Sequence, residues 1–131
     1  MDSAEKLLEF YKGKRVFITG HTGFKGTYLA ETLKMAGASV TGYSLEAPTE
    51  PSLFKLADTG SGMSSIIGDI RDYENLKKAF EEAEPELVFH LAAQPIVRTS
   101  YREPRYTYET NVMGTVNILE CVRNSSAVRS F

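Results

Sequence analysis

Short apolar, β-branched runs alternate along this chain with longer stretches that carry a helical repeat. Arg15 to Thr19, Ala38 to Tyr43, Ser65 to Gly68, Glu86 to Ala93 and Ala127 to Phe131 have the length and composition of strands. The run from Glu86 to Ala93 lacks polar alternation, as expected of a strand covered on both faces. Between the strands, Leu29, Leu33 and Ala36 fall on one face of a helix predicted from about Lys25 to Ala36, and Gly37 stops it. Leu76, Ala79, Phe80 and Ala83 mark a second helix, capped by Asp72 and ended by Pro85. Tyr108, Val112, Thr115, Val116, Leu119 and Val122 mark a long amphipathic helix from Pro104 to about Arg123. A short leader helix is expected over Ser3 to Tyr11, ahead of Gly13. Strands alternating with helices predict an α/β fold, a doubly wound parallel sheet reaching about its fifth strand.

Two stretches carry no clear repeat. Ala47 to Met63 reads as a long connection with a brief helical hint at Ser52 to Leu56, either a lid, a subunit contact or a passive surface loop. Ile96 to Arg105 reads as a basic, aromatic loop with Arg98, Tyr101, Arg102 and Arg105, either touching a phosphate or sugar or simply solvated.

Composition narrows the classes. At 131 residues the chain is one domain, and a net charge of −2 argues against a nucleic-acid surface. No leader or membrane-spanning segment is expected, and the single cysteine, Cys121, fits a reducing, cytoplasmic setting. No metal site is assigned.

The chemistry centres on Gly20-His21-Thr22-Gly23-Phe24-Lys25-Gly26, between the first strand and the helix that follows. A plain turn needs one glycine, and this one has three. Glycines here permit positive φ, close approach of backbone to a pyrophosphate and tight helix packing, while the helix start supplies N–H donors and a positive dipole end. The second strand ends in Tyr43 and Ser44 rather than the acidic residue that often binds a ribose; Ser44 remains able to hydrogen-bond one. No cation follows until Lys55, which favours NAD over NADP. Asp69 follows the third strand with no evident structural duty, and its position suits an adenine amino group. Ala92 and Ala93 leave room at the end of the fourth strand, either for a cofactor or for close packing; His90 reads as a core or helix-facing residue.

Four segments in order, Thr19 to Gly26, Gly68 to Asp72, His90 to Gln94 and Tyr108 to Thr115, resemble the extended short-chain dehydrogenase/reductase family. The glycine turn, Pro48 to Phe54 and Ala93-Gln94-Pro95 are most similar to its nucleotide-sugar 4,6-dehydratases that act on CDP-glucose. The resemblance implies a Rossmann-like domain binding NAD. It places the pyrophosphate on Gly20, Thr22, Gly23, Phe24, Lys25 and Gly26, the adenine near Asp69 and Ile70, and the nicotinamide-side ribose near Leu91, Ala92, Ala93 and Gln94, with Asn111 in support. It also implies a nucleotide-sugar substrate, intramolecular redox with loss of water, and a homo-oligomer formed through the helix 104–123. The family's Tyr-x-x-x-Lys pair is expected to be absent from this chain, so no catalytic residue is named and residues 1–131 are expected to be a partial NAD-binding domain without turnover. A related epimerase or reductase, or a non-catalytic nucleotide-binding module, remains an alternative.

Overall fold

The computed structural model describes all 131 residues. Its elements run α1 (Ser3–Tyr11), β1 (Arg15–Thr19), α2 (Phe24–Met35), β2 (Ser39–Ser44), α3 (Leu53–Leu56), β3 (Ser64–Ile67), α4 (Tyr73–Ala83), β4 (Leu87–His90), α5 (Val97–Arg102), α6 (Pro104–Tyr108), a π turn (Glu109–Met113) and α7 (Gly114–Arg123). All strand pairs are parallel, in the order β3-β2-β1-β4. From β1 the chain steps outward to β2 and β3, then returns to place β4 on the other side of β1. The sheet therefore changes direction between β1 and β4, the position at which open α/β sheets hold their ligands.

Alternation along β1 sorts the core into two layers. Val16 and Ile18 pack with Ala30 and Leu33 of α2, while Phe17 packs with Phe80 of α4 and Ile118 and Cys121 of α7. Val16, Phe17 and Ile18 are at most 1 % exposed, and burial of side chains this size stabilises a fold by about 1.5–3 kcal/mol each. Helices thus cover both faces, as a doubly wound sheet requires. Asp72 caps α4 as expected, accepting from the Asn75 N–H at 3.1 Å.

The structure differs from the sequence expectation in three places. The fifth strand is a single bridge, Ser130 beside Leu87, held by Val88 N–H to the Ser130 carbonyl at 3.0 Å. The basic stretch after Ile96 is the short helix α5, not a loop, because Ser100 and Glu103 donate their N–H groups back to Ile96 and Thr99. The long connection after β2 is fastened: Lys34 of α2 donates to the carbonyls of Thr59 and Ser61 at 2.9 and 2.8 Å.

Candidate dinucleotide site

At the switch between β1 and β4, each glycine of the turn meets a different constraint. Gly20 has φ +82°, and a Cβ there would stand 2.8 Å from the Ala92 nitrogen. A Cβ on Gly26 would stand 2.1 Å from the Gly20 carbonyl oxygen. Both positions exclude a side chain by packing alone. Gly23 differs: a Cβ there meets only the Gly20 oxygen, at an ordinary 3.5 Å, so the fold does not demand glycine at this point. Gly23 is the N-cap of α2 and supplies no capping side chain. The first bond of the helix is Thr27 N–H to the Gly23 carbonyl, which leaves the N–H groups of Phe24, Lys25 and Gly26 ahead of the ladder. The side chains of Phe24 and Lys25 lie exposed to either side. Uncapped donors, a dipole end and a bare Cα form a cradle suited to phosphate.

His21 turns inward from this cradle. Its ring is fully buried over Gly42, where any Cβ would overlap it, and it meets the Ser65 hydroxyl at 2.7 Å and the edge of Phe54. Burial pushes its pKa down to about 4. It is a neutral prop between the turn and the connection after β2.

The next group of expected residues lies at the ends of β2 and β3. Thr22 is buried and bonds both the Ser44 hydroxyl, at 2.9 Å, and the Leu45 carbonyl, at 2.8 Å. Tyr43, in contrast, is fully buried beneath Gly68, donating to the Asp69 carbonyl at 3.0 Å; burial raises its phenol to about 12. Asp69 proves to have a structural duty after all. Its carboxylate accepts from the Arg71 N–H at 2.9 Å and from the Arg71 guanidinium at 2.8 Å, which hold it below the usual carboxylate range. Arg71 itself reaches on to Glu109 and lies over the Tyr106 ring. The Ile70 side chain is in the core, where Gly114 of α7 comes so near that a Cβ would stand 2.7 Å from it, and Asn117 binds the Ile70 carbonyl. Its side chain is therefore spent on packing, and what Ile70 can offer a ligand is backbone.

The third group follows β4. Leu91 and Ala92 donate their N–H groups to Thr19 Oγ1 at 3.1 and 3.2 Å, drawing the strand extension over Gly20. Ala92 is half-buried and Ala93 exposed. The Gln94 side chain folds back on Ile96 and Thr107. The Asn111 amide pairs with the Gln94 backbone in both directions, at 2.8 and 3.1 Å, from within the π turn. Asn111 therefore fixes the backbone of this segment. Behind it, His90 links Thr19, at 2.6 Å, to Thr115, at 3.1 Å, and burial lowers its pKa. Thr19, Arg71 and Thr115 carry no signal in the local pattern, because Thr19 and Thr115 meet His90, and Arg71 meets Glu109, across elements distant in the chain.

One Tyr-x-x-x-Lys spacing does occur, a correction to its expected absence: Tyr73 and Lys77 on α4. Tyr73 packs on the core beside Phe80, and Lys77 faces Glu81. Both line a cavity of about 330 Å³ with Cys121 and Asn124 that includes no residue of the glycine turn or of the segment after β4.

Comparison with known proteins agrees with the fold. Over 121 residues the chain is 54% identical to CDP-glucose 4,6-dehydratase of Salmonella typhimurium, covering 92% of this chain and 34% of that protein. The structure of the epimerase Mth375 from Methanothermobacter thermautotrophicus superposes with a TM-score of 0.82 at 30% identity, over 95% of this chain and 36% of that one. UDP-glucose 4-epimerase of Thermus thermophilus, in complex with NAD, gives a TM-score of 0.77 at 32% identity, over 88% and 36%. The chain spans about a third of the length of the curated relatives it matches. Residues 17–131 match the profile described as GDP-mannose 4,6 dehydratase, and the chain belongs to that family.

Proposed function

We propose that residues 1–131 are the NAD-binding part of a nucleotide-sugar 4,6-dehydratase whose substrate is CDP-glucose. The observation that carries the reading is the uncapped start of α2 behind Gly23, a position kept free of side chain where packing does not require it. The 54% identity to CDP-glucose 4,6-dehydratase supports the choice of sugar nucleotide. A pyrophosphate fits the donor set, since it needs several N–H groups and tolerates no nearby Cβ. When bound, NAD⁺ supplies a reversible hydride store, so that oxidation at C4 of the hexose, loss of water across C5 and C6, and reduction at C6 proceed within one sugar.

The residues of this chain bind and orient. The backbone of Thr22, Phe24 and Lys25 holds the pyrophosphate, Asp69 and the Ile70 backbone face the adenine, and Leu91, Ala92 and Ala93 form the nicotinamide-side wall. Gln94 and Asn111 fix that wall in place. The groups that move protons, and those that recognise the nucleotide sugar, are assigned to no residue of this chain, which spans 34% of the dehydratase it resembles. The cytoplasm is the proposed location, and the outward face of α6, the π turn and α7 the proposed contact with a second copy. An epimerase acting on a nucleotide sugar is the second reading, favoured by the epimerases among the structures of the same fold.

Calorimetric titration with NAD⁺ tests the proposal. Saturable binding by the chain, lost in Gly23→Val while the fold persists, is the expected result; equal binding by the variant overturns the placement of the pyrophosphate. The chain alone is expected not to convert CDP-glucose, and formation of a 4-keto sugar would show the catalytic groups to lie within it.

A further inference from the structure

β3 and β4 are the outer strands of the sheet, with β2 and β1 between them. Three inter-strand spacings, about 14 Å, therefore separate the segments that follow them. One element holds both. Glu109 and Asn111 stand two residues apart on the π turn, and since each helical residue turns the face by roughly 100° they project to nearly opposite sides. Asn111 holds the segment after β4 through the Gln94 backbone. Glu109 holds the segment after β3: its Oε2 accepts from Arg71 Nη1 at 3.2 Å, while its Oε1 accepts from Arg105 at 2.8 Å. Arg71 uses its whole planar fork in return. Nε and Nη2 donate to the Asp69 carboxylate at 3.1 and 2.8 Å, Nη1 serves Glu109, and the flat face lies 4.8 Å from the centre of the Tyr106 ring. Two carboxylates from different elements thus share one cation, and without it they would face each other as like charges. Asn117, about two turns further along the helix, adds its amide to the Ile70 carbonyl at 2.9 Å.

We infer that Arg71 and Glu109 are positioning residues that fix how far apart the two walls of the cleft stand, so that a molecule spanning both walls is held by them and one touching a single wall gains nothing. The inference rests on the dinucleotide reading above. The pair ties the segment after β3 to the same turn that carries Asn111, so the two walls keep one spacing only while the pair is closed. Arginine suits the place because a lysine ammonium offers neither the paired donors nor the flat face. The Arg71 and Glu109 side chains are 38 % and 36 % exposed, so salt reaches the pair and weakens its hold.

The test is titration of the whole chain with NAD⁺ and with 5′-AMP, with thermal melts as the control for folding. On the dinucleotide reading NAD⁺ spans both walls, and AMP meets only the one after β3. Glu109→Gln keeps the shape and removes the charge. It is expected to weaken NAD⁺ binding about threefold, the scale of a half-exposed ion pair, and to leave AMP binding and the melt as in wild type. In about 1 M salt the difference between wild type and this variant should vanish. In a chain already carrying Arg71→Ala, the same Glu109→Gln change should cause no further loss, because its partner is gone. Equal losses for NAD⁺ and AMP would mean that the pair serves the base alone, and unchanged NAD⁺ binding would make it a mere surface contact. Either result overturns the inference and leaves the cofactor site standing. A wild-type chain that binds neither ligand overturns both.

Discussion

His90 and Thr115 share a hydrogen bond whose direction is forced. Thr115 Oγ1 donates to the Asn111 carbonyl at 2.6 Å, so toward His90, 3.1 Å away, it can only accept. The imidazole therefore carries its proton on Nε2 and accepts at Nδ1 from Thr19, whose oxygen in turn receives the N–H groups of Leu91 and Ala92. Nitrogen NMR of the histidine ring is expected to report the Nε2–H form at neutral pH; the Nδ1–H form would refute the relay. Thr115→Val, which leaves a buried ring N–H unpaired, should cost about 1–3 kcal/mol in denaturant unfolding, and Thr115→Ser much less.

The histidines also set a pH dependence. Burial lowers the pKa of His21 to about 4 and that of His90 as well, against an unfolded value near 6.5. The folded state thus binds fewer protons than the unfolded one in this window, so the contribution is complete above about pH 6.5 and is lost as pH falls toward about 4. For His21 the full shift corresponds to roughly 3 kcal/mol. Urea midpoints measured between pH 7 and pH 5, where the carboxylates stay largely ionised, should fall; a flat profile would mean that neither ring resists protonation.

The three glycines of the turn should separate in mutagenesis. Gly26→Ala drives a methyl into the Gly20 carbonyl and Gly20→Ala drives one into the Ala92 nitrogen, so both should destabilise severely, by more than about 3 kcal/mol. Gly23→Ala, with φ −78° and ordinary contacts, should melt near wild type and lose dinucleotide affinity. Thermal melts and titration together decide it, and a collapsed fold for Gly23→Ala would remove the distinction.

A stripe on the outer helix should drive association. Tyr108, Val112, Met113, Val116 and Leu119 are each 43–69 % exposed along α6, the π turn and α7, and contiguous apolar surface of this kind marks a contact face. Light scattering is expected to show a concentration-dependent dimer that Val116→Glu weakens by at least tenfold, about 1.4 kcal/mol. A monomer at high concentration would refute the proposed contact.

Much of this arrangement was legible in the chain. The β-branched run at Val16 to Ile18, the Asp72 cap and the spaced glycines each depend on neighbours a few residues away, so local pattern reveals them. What local pattern does not show has other causes. Asp69 reads as idle because its partner, Arg71, although only two residues on, binds it through a side-chain conformation that spacing does not display. The side chains of Ile70 and Gln94 are engaged by Gly114 and Thr107, which lie on other elements. His21 turned inward because Gly42, on the neighbouring strand, leaves a vacancy the size of a ring. The outer helix was harder still, since it is apolar on both sides: Ile118 and Cys121 face the core while Val112 and Val116 face out.

That helix can serve both ends of its length because of the π turn. Closing a π turn takes in one residue more than an α turn does, and each residue of an α-helix advances the face by about 100°. The extra residue between Glu109 and Met113 works as a phase adjustment: Asn111 meets Gln94 at the strand ends while Ile118 and Cys121 still land on the sheet. Deleting a single residue there would restore a uniform helix and put its two ends out of step, so that either the amide clamp or the core contact is kept, and not both.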